Sequence, residues 1–143
     1  MEAFVDSSVL VAAFQADDVR HKSSVAILNA YSRSKISTAG HSLAETYSTL
    51  TAWPGIHRVT PDAASLYLAD QRQQMTIVNL DEEEIWASIE ASAKLGLRSG
   101  MVYDGLIAAC ARKAAAKSIY TWNRKHFERL GPEIAKRVKE PGR

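Results

Sequence analysis

Short apolar runs alternate with longer stretches in which apolar residues recur at helical spacing. Ala3 to Val5 is apolar and ends at Asp6, as a buried strand would. Ser7 and Ser8 can cap the helix that follows, in which Val9, Leu10, Ala13 and Phe14 share a face. His21 to Arg33 predicts a second helix with Val25, Leu28 and Tyr31 on one side. Ile36 to Ala39 predicts a strand bounded by Gly40. Ser42 to Thr51 predicts a helix with Leu43, Tyr47 and Leu50 at i, i+4 and i+7, stopped near Pro54. Thr60-Pro61-Asp62 opens another helix, with proline at the first helical position. Met75 to Leu80 follows as a third strand. Asp81 to Leu95 and Val102 to Ala116 are helices separated by a loop between Gly96 and Gly100. Ser118 to Thr121 predicts a fourth strand and Lys125 to Leu130 a short helix ended by Gly131-Pro132. Ile134 to Val138 is a last strand or an irregular tail.

Strands separated by helices require crossover connections, hence a mostly parallel sheet. The expected fold is a three-layer α/β/α sandwich with four or five strands, one domain spanning residues 1–143. Such folds place working groups beyond the carboxyl ends of their strands. Asp6 stands at one such end and Asn123 just beyond another.

Composition narrows the class. An apolar fraction of 46% and a charged fraction of 24% are globular values and exclude a disordered or fibrous chain. The apolar runs are too short to span a membrane, and Asp6 interrupts what a signal peptide would keep greasy. The lone Cys110 excludes an intramolecular disulfide and a Cys-rich zinc site, so a reducing, cytoplasmic setting is expected. Residues 112–143 carry 10 Lys/Arg against 3 Asp/Glu, on a chain whose net charge is only +2. That basic end is a solvated face or a surface for a polyanion.

Three acids fall at positions that lean toward the interior: Asp6 after the first strand, Glu45 among Leu43, Ala44 and Tyr47, and Asp104 opening the alanine-rich helix. Capping explains Glu45 or Asp104 singly. Gathered together, the three would repel by about 4 kcal/mol per pair at 4 Å and an effective dielectric near 20. A shared proton, a basic partner or a divalent cation would relieve that, and all-oxygen ligands select a hard ion, Mg²⁺ or Mn²⁺.

Four segments carry a resemblance: Phe4-Val5-Asp6-Ser7-Ser8-Val9-Leu10, Ser42-Leu43-Ala44-Glu45-Thr46-Tyr47, Tyr103-Asp104-Gly105-Leu106-Ile107-Ala108-Ala109-Cys110-Ala111 and Thr121-Trp122-Asn123-Arg124-Lys125-His126-Phe127. In order and spacing the chain resembles the PIN-domain ribonucleases, specifically the VapC toxins of toxin–antitoxin pairs. The resemblance implies metal-dependent RNA cleavage, with Asp6 and Asp104 holding Mg²⁺, or Mn²⁺, directly. Glu45 would hold the ion through water or orient the attacking water. Asn123 falls where the family often has an aspartate, which weakens the case for two tightly held metals. Ser8 matches a small hydroxyl position beside the metal's water. The same resemblance implies a cognate small antitoxin and a homodimer.

Other groups have blander readings beside the functional ones. Arg112, Lys113, Lys117, Arg124 and Lys125 line an RNA path or form a solvated face. Asp81 to Glu84 reads as a helix start complementing its dipole. His41 reads as a cap or surface group rather than a zinc ligand, and His126 as a solvated histidine or a substitute for the missing fourth acid. Cys110 reads as a small buried residue. Trp53, Trp86 and Trp122 stack on bases or belong to core and interface. A receiver domain or an Asp-x-Asp phosphatase would need a second acid beside Asp6, where Ser7 and Ser8 stand. The remaining alternative is a PIN-like binding module without activity, favoured only by Asn123.

Overall fold

The computed structural model describes residues 1–143. Five strands, β1 (Ala3–Val5), β2 (Ile36–Ala39), β3 (Thr76–Val78), β4 (Ser118–Tyr120) and β5 (Val138–Lys139), form one sheet in the order β3-β2-β1-β4-β5. Every adjacent pair is parallel, with Phe4 opposite Ser37 on one side and Ile119 on the other. Eight helices connect them: α1 (Ser7–Phe14), α2 (His21–Asn29), α3 (Gly40–Ala52), α4 (Pro61–Gln74), α5 (Glu82–Lys94), α6 (Met101–Lys113), α7 (Arg124–Glu128) and α8 (Pro132–Ala135).

The alternation along β1 sorts the core into two layers. Ala3 and Val5 pack with Val9, Leu10, Leu28 and Ile36, on the side of α1 and α2. Phe4 points the other way, into a cluster with Ile107, Ala108, Ala111, Ile119, Phe127 and Ile134, the side of α6, α7 and α8. A smaller cluster of Val11, Leu50, Val59 and Ala64 seats α3 and α4 on α1, and Tyr67 donates its hydroxyl hydrogen to the Leu10 carbonyl at 2.6 Å.

The chain builds β1, β2 and β3 outward in one direction, then returns to add β4 and β5 on the other flank of β1. Connections from β1 and β4 therefore leave toward opposite faces and open a crevice at their carboxyl ends. Asp6 and Thr121 are the residues that immediately follow those two strands.

Several boundaries differ from expectation for local reasons. The second helix ends at Asn29 rather than Arg33: the Ala30 N–H tightens to the Ile27 carbonyl at 3.2 Å, and a separate turn from Ser32 to Lys35 follows. The third helix begins at Gly40, directly on the strand's end; a side chain at residue 40 would run into Asn79. The short basic helix covers Arg124–Glu128 instead of Lys125 to Leu130. After it, Gly131 at φ 118° and Pro132 start a further short helix, so Ile134 is helical and buried, and the last strand is only Val138–Lys139. A 3₁₀ turn at Gly55–His57 was not foreseen.

Leu28 and Leu50 are buried, while Tyr31 and Trp53 pack against the core clusters. Exposed apolar side chains lie elsewhere, on α5 (Ile85, Trp86, Ile89), and at Leu66 and Tyr103.

Phe4→Ala should destabilise the fold by about 3–5 kcal/mol, since it empties the centre of the main cluster from the central strand. Ile56→Ala, at a side chain 95% exposed, should stay within about 0.5 kcal/mol. Urea denaturation of both variants checks this contrast.

Candidate active site

Asp6 directly follows β1 and is the N-cap of α1. Its backbone N–H still reaches the Tyr120 carbonyl at 3.3 Å, extending the β1–β4 ladder. Its side chain turns back over the first turn of the helix and accepts from the amides of Ser8 (3.0 Å) and Val9 (3.4 Å). The Ser8 hydroxyl donates to Oδ1 at 2.5 Å, and the Thr121 hydroxyl donates to Oδ2 at 2.7 Å. Those two hydroxyls in turn accept backbone amides, Trp122 N–H on Ser8 Oγ and Asn123 N–H on Thr121 Oγ1, each at 2.9 Å.

Asp6 is only 4% exposed, and no cation stands against it. Burial raises its carboxyl to about 6, against the pull of the Ser8 and Thr121 hydroxyls and the Val9 and Ser8 amides. Hydrogen-bond donors alone do not compensate a carboxylate taken out of water at this depth.

Glu45 projects from α3 toward the same edge. Its Oε2 accepts from Ser7 Oγ at 3.4 Å, and its Oε1 stands 3.1 Å from His41 Nε2 one turn earlier. Half-burial raises its carboxyl; His41 and Ser7 oppose that, and the nearby Asp104 charge adds to it. Asp104, in the first turn of α6, accepts from Arg129 at 3.1 Å, with His126 Nδ1 at 3.9 Å. Asn123 is exposed at the N-cap of α7 and joins the cluster through its backbone; its side chain makes no capping bond.

Ser8 and Thr121 thus hold Asp6, Ser7 holds Glu45, Asp104 lies near enough for its charge to act on Glu45, and Asn123 joins through its backbone N–H to Thr121. The acids do not close into a cage: no three His, Cys, Asp or Glu side chains converge tightly enough to hold one ion. The donor set is nonetheless all oxygen, around a buried carboxylate without a counter-charge. That suits Mg²⁺, which takes one or two carboxylates and keeps several waters.

The basic residues are divided. Arg112 and Lys113 sit at the far end of α6, about 12 Å along its axis from Asp104. Lys113 is tied to Glu84 at 2.7 Å and to the Asn79 carbonyl at 2.8 Å. Lys117 pairs with Glu2 at that same end. Arg124 and Lys125 lie on the site's side, where Arg124 is paired with Glu128. Asp81 and Glu84 form a capping box, as a helix start should. Cys110 is buried and its thiol is pushed up to about 11, so it is inert. Trp53 packs on the core, the Trp122 indole donates to Ser24 Oγ at 2.9 Å, and Trp86 is exposed on α5.

Three contributors escaped the sequence reading: Thr121, Ser7 and Arg129. Thr121 closes a strand, as Asp6 does, and that position was the available signal. Ser7 and Arg129 act across 38 and 25 residues of chain, and no local pattern marks them.

The PIN domain family model matches residues 3–131. Ribonuclease VapC40 of Mycobacterium tuberculosis is 33% identical over 131 residues, which cover 90% of this chain and 94% of that relative. Among solved structures, the sarcin-ricin loop cleaving toxin VapC20 of Mycobacterium tuberculosis superposes with a TM-score of 0.71 at 20% identity, over 87% of this chain and 92% of that one. VapBC2 of Rickettsia felis, bound to a DNA fragment from its promoter, superposes at 0.68 and 19% identity, over 98% of both chains.

In chelator-treated protein, the raised Asp6 carboxyl should make stability fall as pH rises. Below the ordinary value of 3.8 both folded and unfolded chains are protonated. Between that and about 6 only the unfolded chain ionises, and above it the full penalty, about 3 kcal/mol, is present. Asp6→Asn should remove this slope, as read by urea denaturation from pH 4 to 7. An identical slope in the variant would show that another group carries it.

Proposed function

The chain belongs to the PIN-domain family and, within it, to the VapC ribonucleases, and on that premise we propose a Mg²⁺- or Mn²⁺-dependent endoribonuclease, the toxin of a toxin–antitoxin pair. The observation that carries the site assignment is the buried Asp6 carboxylate, without a cation, at the switch point of the sheet and facing the crevice shared with Glu45 and Asp104.

In this reading Asp6 and Asp104 hold the divalent ion. When bound, it neutralises charge on the scissile phosphate and acidifies the attacking water. Ser8 and Thr121 fix both oxygens of Asp6, so the carboxylate keeps one orientation with or without substrate. Glu45 takes the proton of the attacking water as the water oxygen bonds to phosphorus and the bridging P–O bond breaks, its electron pair leaving with the sugar oxygen, which takes a proton from solvent. Its carboxyl, raised by burial, is a better base than a solvated glutamate. His41 and Ser7 each engage one Glu45 oxygen and so aim it. Arg129 neutralises Asp104 until the ion or the phosphate arrives. Asn123 contributes an amide oxygen without charge, which favours one tightly bound ion over two. Lys125 and Arg124 lie where the RNA backbone would leave the crevice. Arg112 and Lys113, at the other end of α6, could meet only a longer RNA.

The VapBC complex of Rickettsia felis supports a small antitoxin as partner for this chain as well, and we extend the proposal to a homodimer in the cytoplasm. No helix is long and apolar enough to cross a membrane.

Purified protein should cleave single-stranded RNA with Mg²⁺ or Mn²⁺ and lose that activity in EDTA. Asp6→Asn, Glu45→Gln and Asp104→Asn should each lower the rate by roughly 10²–10⁴-fold while remaining folded by circular dichroism. Wild-type rates in any of the three would remove that residue from the site. A folded wild type without cleavage would favour the inactive binding module.

Asn123→Asp should tighten Mg²⁺ binding and strengthen a second site in calorimetric titration, because it adds a charge beside Thr121. Two equally tight sites in the wild type, or no change in the variant, would exclude Asn123 from the metal's surroundings.

A further inference from the structure

The acids share their rim with an aromatic pair that hydrolysis does not need. Tyr103 precedes Asp104 in α6, and its side chain is 51% exposed. One face of its ring is stacked on His41, with centroids 5.4 Å apart and planes 24° apart. His41 is in turn anchored to Glu45, 3.1 Å away. The phenol is therefore braced from beneath by a group tied to the site itself. Gly100 lies against the ring's edge, where a Cβ would stand 3.6 Å from Cδ2 and 3.8 Å from Cε2, ordinary contact distances.

An aromatic ring held this way loses little conformational freedom when a flat partner settles on it. Such a ring contributes nothing to the core, yet it is fixed beside the carboxylates where a phosphate would be held. In a single-stranded nucleic acid, the flat group joined to that phosphate through one sugar is a base. Bases stack on aromatic side chains independently of their hydrogen-bonding edges.

We propose that the outward face of Tyr103 is a stacking platform for the nucleobase next to the scissile phosphate, with His41 as its brace. This rests on the ribonuclease reading and adds the group that positions the substrate. Stacking tolerates every base, so the platform sets affinity and register rather than a strict sequence.

The test uses a short single-stranded RNA with a mapped cleavage site and the full chain. Tyr103→Ala should raise KM by roughly 10- to 100-fold, with a much smaller effect on kcat. Tyr103→Phe and Tyr103→Trp should restore KM, whereas Tyr103→Leu, apolar but not flat, should not. An RNA lacking the base beside the cut should lose the same factor with wild type, and Tyr103→Ala should add nothing further. An unchanged KM in Tyr103→Ala, a Leu variant as good as Phe, or fully additive losses would each overturn the platform. So would an unchanged KM accompanied by weaker binding of the antitoxin, which would assign the face to a protein. If the wild type cleaves no RNA, the ribonuclease reading falls separately. The platform is then judged by fluorescence anisotropy: it stands if wild type binds the intact RNA at least about 10-fold tighter than Tyr103→Ala does, and falls if the two bind alike.

Discussion

A carboxylate buried at the junction of two strands is the constraint around which this fold is arranged. Asp6 closes β1, caps α1 and holds the hydroxyls of Ser8 and Thr121, so one side chain ties a strand, a helix and the neighbouring strand's exit together. The sheet's order makes this possible: because the chain turns back at β1, the exits of β1 and β4 lie side by side and diverge. The protein accepts an unfavourable charge there in exchange for a crevice whose floor is rigid. Most of the surrounding polar contacts exist to keep that charge hydrogen-bonded and pointing one way.

The remaining acids are more exposed than Asp6, and each has a basic side chain beside it. Glu45, its side chain 40% exposed, is shared between a serine and a histidine, and Asp104, at 25%, is held by an arginine. The deepest acid has no positive neighbour, while Asp104 has Arg129. A cation entering the crevice therefore meets the strongest uncompensated charge last, at the bottom. Arg129, on the rim, is the group it must compete with.

Much of this was legible in the chain. Strand-ending Asp6, the helix-borne Glu45 and Asp104, and the parallel sheet all follow from local patterns, because burial of a strand and capping of a helix are short-range events. What stayed hidden was direction and reach. The basic residues around the end of α6 are close in sequence to Asp104, yet a helix carries Arg112 and Lys113 away from it. The burial of Leu50 was also hidden, because the third cluster, in which α4 covers α1 and α3, joins Val11 to Ala64 across the chain. Ser7 meeting Glu45 and Arg129 meeting Asp104 are likewise products of packing, not of spacing.

The hydroxyls of Ser8 and Thr121 have one proton each. Both donate it to Asp6, and both present a lone pair to a backbone amide, that of Trp122 or Asn123. The orientation of each O–H is thus dictated from both sides, and the polarisation of two peptide groups depends on the charge two bonds away. Placing a proton or a cation on Asp6 weakens its demand for those hydrogens, and the amides of residues 122 and 123 register the change. In nuclear magnetic resonance those two amide signals become internal reporters of the state of a group that solvent scarcely reaches, without any label on the group itself.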